Sequence, residues 1–211
     1  GRLIVASNHS GQVPIDGLMI GCALMFEADP PRIPRAMIDY FAWQMPFVNV
    51  WFSRLGQVIG TPENCRRLLE MDETILVFPE GTNGIGQPFS KRYQVQKFGT
   101  GFMRLALETK TPIVPVAVIG CEEMAPGIGK IPLPPGFGAP YIPVTPTFPL
   151  LGPLGLIPYP AKIRLYFGEP MEFKGDANDE DVIVERKVRR VRSRLQSMIN
   201  DGVKRREHVF W

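Results

Sequence analysis

Half of the chain's prolines lie in one stretch, and this limits how the rest can fold. Of 22 prolines, 11 fall between Gly120 and Pro160, together with seven glycines. Proline lacks a backbone N–H and has a fixed φ, so it is excluded from helix interiors and central strands. Core-forming elements must therefore come from the flanking regions. Collagen is excluded because glycine shows no three-residue period, and a disordered polymer is excluded by the 45% hydrophobic content. The stretch is itself apolar between its prolines, from Ile128 through Phe137 to Ile157, and reads as a long loop without regular structure. Two readings stay open: a covering layer over the core, or an apolar surface for lipid or a membrane.

The flanks alternate strand and helix. Leu3–Ala6, Thr74–Phe78, Pro112–Ile119 and Lys162–Phe167 read as short buried strands. Pro14 suits the first turn of a helix running to about Phe26. Thr61 caps a helix with Pro62 at its first position, ending near Met71. Phe98–Thr109 is helical. Val184, Val188, Val191, Leu195, Met198 and Ile199 recur at steps of three and four, predicting an amphipathic helix. The expected fold class is α/β, a mostly parallel central sheet flanked by helices, with a long Pro/Gly-rich apolar insertion (120–160) and a basic C-terminal helix (180–206). Length suits one domain over 1–211.

Net charge is +3, but residues 182–211 carry +6 and the remainder −3. The basic end reads as a solvated helix face or as a surface attracted to anionic lipid; nucleic acid is not expected, since no reading helix or stacking platform is evident. The aromatics of 40–52, including Trp43, Phe47 and Trp51, read as core or as a surface at a membrane interface. Cys22, Cys65 and Cys121 lack C-x-x-C spacing, and there are only two histidines, so neither a disulfide framework nor a metal site is expected. No apolar run is long enough to read as a membrane-spanning helix. The chain starts at Gly1 directly on a strand, without Met or leader, so an N-terminal part of a longer protein is expected to precede it, and the absence of an anchor carries no weight.

His9 follows the first strand, and Asp16 comes seven residues later in the first turn of a helix. On a continuous helix seven residues rise about 10 Å, too far for a hydrogen bond. A loop at Ser10–Val13, with Gly11 in it and Pro14 after it, lets the carboxylate fold back onto the imidazole. Such a pair is a general base, and it is also a common structural pair. Phe78-Pro79-Glu80-Gly81-Thr82-Asn83-Gly84 puts a carboxylate, a glycine and a hydroxyl at a strand's C-terminal end, which suits a ligand site or a plain turn. There is no G-x-S-x-G, G-x-G-x-x-G or G-x-x-x-x-G-K-[ST] run.

The ordered set Asn8-His9-Ser10, Asp16, Phe78-Pro79-Glu80-Gly81-Thr82, Lys97-Phe98-Gly99 and Pro112-Ile113-Val114-Pro115-Val116 resembles the glycerolipid acyltransferases, the lysophosphatidic-acid acyltransferase-like enzymes with an H-x-x-x-x-D motif. The resemblance runs from about Leu3 to Gly120. It implies His9 as base toward an acceptor hydroxyl, Asp16 as its orienting acid, and Glu80, Gly81, Thr82, Asn83 and Lys97 as acceptor-binding residues. It implies no cofactor or metal, with acyl-CoA or acyl carrier protein as co-substrate. It further implies a peripheral, membrane-associated enzyme facing the cytoplasm, with membrane lipid as partner. Two departures stand out. Six residues separate His9 from Asp16 where the family has four, and Pro14 occupies the family's acid position. Pro62 and Asn83 stand where family members acting on lysophosphatidic acid carry arginines, removing two bidentate phosphate clamps. Lys91, Arg92 and Lys97 remain for a phosphate, or are simply solvated. A lipid acceptor other than lysophosphatidic acid is thus admitted. Two further readings are a non-catalytic lipid-binding or membrane-docking protein on the same scaffold, and a lipid or thioester hydrolase.

Overall fold

Short runs of Ile, Val, Leu and Ala form the centre of the sheet, where three strands are buried along most or all of their length. The computed structural model describes residues 1–12, 15–45, 48–134 and 141–210. Pro14, Phe47 and Phe137 lie outside these. Strands β1 (Leu3–Ser7), β2 (Arg35–Ile38), β3 (Val58–Ile59), β4 (Thr74–Val77) and β5 (Ile113–Ile119) run parallel. A separate hairpin contains β6 (Gly129–Pro132) and β7 (Tyr141–Val144). Strand β8 (Arg164–Phe167) closes the main sheet antiparallel to β5, giving the order β3-β2-β4-β1-β5-β8. This is the expected α/β class.

Side chains alternate across the sheet with the period of two that the pleat imposes. Ile4, Ala6, Ile75, Ile113, Ala117 and Ile119 enter one core; Val5, Leu76, Val114, Val116 and Val118 enter the other. The second core is covered by α1 (Ile15–Phe26), through Ile20 and Leu24. The first is covered by α4 (Pro62–Glu70), α5 (Gly101–Thr109) and α7 (Asp181–Lys204). Helices α2 (Tyr40–Gln44) and α3 (Val48–Arg54) lie between β2 and β3 in the chain. No helix among the described residues is long and apolar enough to cross a membrane.

Several expectations needed revision. Strands β2 and β3 escaped notice because they are short and half-buried throughout. Helix α5 starts at Gly101 rather than Phe98, and the Gly99 N–H before it donates to the Pro79 carbonyl. The Pro-rich segment is not structureless. Pro132 and Pro143 fit β6 and β7 because a two-stranded ladder leaves each strand an unpaired edge. The hairpin lies against the residues that follow β4: Phe89 N–H donates to Gly127 O, and Lys130 Nζ reaches Ile85 O. The basic end is partly committed within the protein, with Lys187 on Asp179, Arg192 on Val95 O, and a buried Arg206 on Glu123.

The start of α4 follows its sequence closely. Thr61 is extended and its Oγ1 accepts from Asn64 N–H at 3.2 Å, with Pro62 next in line. Replacing Thr61 with Ala should cost about 1 kcal/mol, while Thr61→Ser should retain most of it. Urea unfolding midpoints of the three proteins check this.

Candidate active site

Strand pairing alone brings the two candidate motifs together. β1 and β4 are parallel neighbours with Ala6 opposite Val77. Continuing both chains three residues past that rung sets His9 beside Glu80 at the carboxyl edge of the sheet. The contact is made: His9 N–H donates to Glu80 Oε1 at 3.1 Å. On the other side of β1, Asn8 extends the pairing with β5. Its Nδ2 donates to Val118 O and its Oδ1 accepts from Val118 N–H, at 3.0 and 2.9 Å. The carboxyl edge of a parallel sheet, between strands whose connections diverge, is where open α/β folds bind ligands.

Asp16 sits in the first turn of α1 with its side chain fully buried. It accepts from His9 Nδ1 at 2.7 Å and from Ser10 N–H at 3.0 Å on Oδ2, and from Gly17 N–H at 2.8 Å on Oδ1. Nδ1 donates because the partner is a carboxylate, which leaves the lone pair on Nε2. The fold-back needs Gly11, whose φ is +89° and whose Cα faces the Cys121 carbonyl; a Cβ there would lie 2.5 Å from that oxygen. The imidazole lies flat on Phe78, with ring centroids 3.9 Å apart and planes 9° from parallel. It keeps 14% of its side-chain surface exposed, and among the described residues Nε2 makes no hydrogen bond.

Glu80 is buried, and both its oxygens face protein donors. Besides His9 N–H, it accepts from Gln96 N–H at 2.9 Å and Gln87 Nε2 at 3.3 Å. Burial pushes its carboxyl above the ordinary range, against the pull of those N–H groups. It braces the His9 backbone. The other predicted binding residues are placed differently: Gly81 (φ +57°), Asn83 and Lys97 are exposed, and neither the Asn83 nor the Lys97 side chain makes a hydrogen bond among the described residues. The Thr82 side chain lies outside the described part.

The profile of the Acyltransferase family matches residues 1–119, from before β1 to the end of β5, a span that includes His9, Asp16 and Glu80. The chain belongs to the Acyltransferase family. Among its relatives, an uncharacterized protein of Mycobacterium leprae (strain TN) is 36% identical over the whole chain. A "DGAT1/2-independent enzyme synthesizing storage lipids" of Gallus gallus is 24% identical over 90% of the chain. The chain spans 59% and 53% of their lengths. The crystal structure of the 1-acyl-sn-glycerophosphate (LPA) acyltransferase PlsC from Thermotoga maritima shares the fold, with a TM-score of 0.59 and 20% identity over 98% of this chain and 68% of that one.

This acyltransferase-family site contains residues that sequence reasoning missed. Gly84 packs so tightly that a Cβ would stand 2.8 Å from His9 Cβ and 2.7 Å from Glu80 Cβ. Phe78 belonged to a recognised motif, but its stacking role depends on ring geometry. Glu122, in α6 (Cys121–Met124), accepts from Ser10 Oγ and so steadies the loop between His9 and Asp16. Its only sequence signal was a position just past β5, the neighbour of β1. Burial, with Asp16 nearby, raises its carboxyl above the ordinary value of 4.5.

That shift has a definite sign. A carboxyl raised in the folded state binds more protons there than when unfolded. Its favourable contribution is complete below 4.5 and is lost as pH climbs through the raised folded value. Glu122→Gln removes the titration, so the variant should gain stability relative to the parent as pH rises above 4.5. Urea midpoints of both proteins at pH values on either side of 4.5 test this.

Proposed function

We propose that this protein transfers a fatty acyl group from acyl-CoA or acyl carrier protein to a lipid hydroxyl presented at a membrane surface. The observation that carries this reading is the His9–Asp16 pair, bonded at 2.7 Å with Nε2 left without a partner among the described residues. Nε2 takes the proton of the acceptor hydroxyl as its oxygen attacks the thioester carbonyl. Asp16 holds the tautomer and stabilises the imidazolium. The tetrahedral intermediate collapses to the ester, the C–S bond breaks, and the thiolate takes the proton back from Nε2. No covalent acyl-enzyme is needed.

For the acceptor we favour a neutral glycerolipid alcohol over lysophosphatidic acid. Pro62 is spent as the first residue of α4, and Asn83 cannot supply a guanidinium. The storage-lipid description of the Gallus gallus relative agrees with that choice.

The experiment is a panel: labelled acyl-CoA or acyl carrier protein with diacylglycerol, monoacylglycerol, lysophosphatidic acid and a long-chain alcohol. His9→Ala should lower acceptor-dependent transfer by about 10²–10⁴-fold with folding intact. Asp16→Asn should also lower it, by on the order of 10²-fold or more, since an amide N–H would face Ser10 or Gly17. Transfer by His9→Ala at the parent rate would falsify the mechanism. Acyl release without an acceptor would indicate a hydrolase, and thioester binding without turnover a lipid-binding scaffold.

A further inference from the structure

The Pro-rich segment has a property that its prolines alone do not show. From Ile131 to Ala161 there is no Asp, Glu, Lys, Arg or His. Its C-terminal part is a tight turn around the 3-10 helix Gly152–Leu156, and this turn carries its aliphatic side chains outward. Leu150, Leu151 and Leu154 are 85%, 55% and 69% exposed, and Leu156 and Ile157 beside them are exposed as well. Scattered exposed leucines are ordinary, but five such side chains on one short turn form a patch.

We propose that the turn Leu150–Ile157 is a membrane-insertion tip that seats the domain at the boundary between headgroups and acyl chains. The backbone supports this occupant over a protein. A segment entering lipid must satisfy its own polar groups. Pro149, Pro153 and Pro158 have no N–H to satisfy. The N–H groups of Leu151, Gly152 and Ile157 donate to Thr147, Pro149 and Leu154 carbonyls within the turn. Thr147 Oγ1 donates to Gly155 O at 3.0 Å, and Phe148 N–H donates to Thr145 Oγ1 at 3.0 Å. The patch lies in a run of sequence without charge. The first charge after it is the exposed Lys162, a cation suited to headgroup phosphates. Ala161 bridges to Phe210, which adds a half-exposed ring at the turn's base.

One end of the tip packs near the loop that follows His9. Leu156 and Ile157 share a small cleft with Tyr159, Met124 and Gln12, three residues after His9. Gln12 is 7% exposed; its Nε2 donates to Gln87 O, and among the described residues its Oε1 has no partner. The inference rests on the reading of a lipid acceptor at a membrane and adds the surface that meets that membrane.

The test is sedimentation of the protein with phosphatidylcholine vesicles, with and without phosphatidylglycerol, and with no acyl donor present. The parent should bind both, and the triple variant Leu150→Ser, Leu151→Ser, Leu154→Ser should lose about tenfold or more of its binding. All three side chains are exposed, so the thermal melt should be preserved. A control with Met71→Ser and Val182→Ser, exposed residues on α4's end and α7, should bind like the parent. Undiminished binding by the triple variant overturns the proposal. So does a parent that ignores both vesicles, or a triple variant that alters only self-association. Vesicle binding through the turn without acyl transfer to any acceptor sinks the function and leaves the tip standing. Transfer with tip-independent vesicle binding does the reverse.

Discussion

Everything at the site depends on the parallel pairing of Leu3–Ala6 with Thr74–Val77 in one register. The two motifs are far apart along the chain, yet each needs only to continue straight past the last rung to meet the other. A slip of one residue would turn Ile4 and Ala6 toward the face that Val5 now occupies, so two packed cores guard the register. Neither His9 nor Glu80 thus relies on a mobile loop for its position. The same logic carries over to β5, whose pairing with β1 puts Glu122 near Ser10 and Val118 within reach of Asn8.

The site is built from carboxylates in an apolar setting, which is electrostatically costly. Asp16 and Glu80 are buried, and Glu122 is half-buried beside them. The charge of Glu122 adds to what burial does to Glu80, and that of Asp16 to what burial does to Glu122. The compensation comes mainly from backbone N–H groups. Those of His9 and Gln96 point at Glu80, and those of Ser10 and Gly17 at Asp16. Helix α1 contributes by starting where Asp16 stands, so the acid also meets the positive end of a helix. A close glycine at 84 and a left-handed one at 11 let the backbones come near enough for this to work.

Much of this was legible in the chain. The strands β1, β4 and β5 lie in apolar runs, and the α7 stripe is unambiguous at its period of three and four. His9 and Asp16 could be paired on paper because Gly11 argued against a continuous helix between them. The strands β2 and β3 were not legible, since four and two half-buried residues leave no period to count. Nor was the direction of Glu80, because a carboxylate after a strand reads equally as a ligand or as a brace until its donors are seen. The hairpin β6–β7 was hidden by its own prolines, which propensity treats as breakers and an isolated two-stranded ladder tolerates.

The stacking of His9 on Phe78 has a consequence for timing. A ring pinned on one face by an aromatic plane and on one edge by a buried carboxylate cannot turn over while substrates are bound. In the proposed reaction, the nitrogen that removes a proton from the incoming alcohol must then be the nitrogen that returns it to the departing sulfur. Both atoms have to pass through a sphere of about one hydrogen-bond radius around Nε2. The two substrates must accordingly converge on one point from different directions, and a donor carrier that approached from the alcohol's side would block its own reaction.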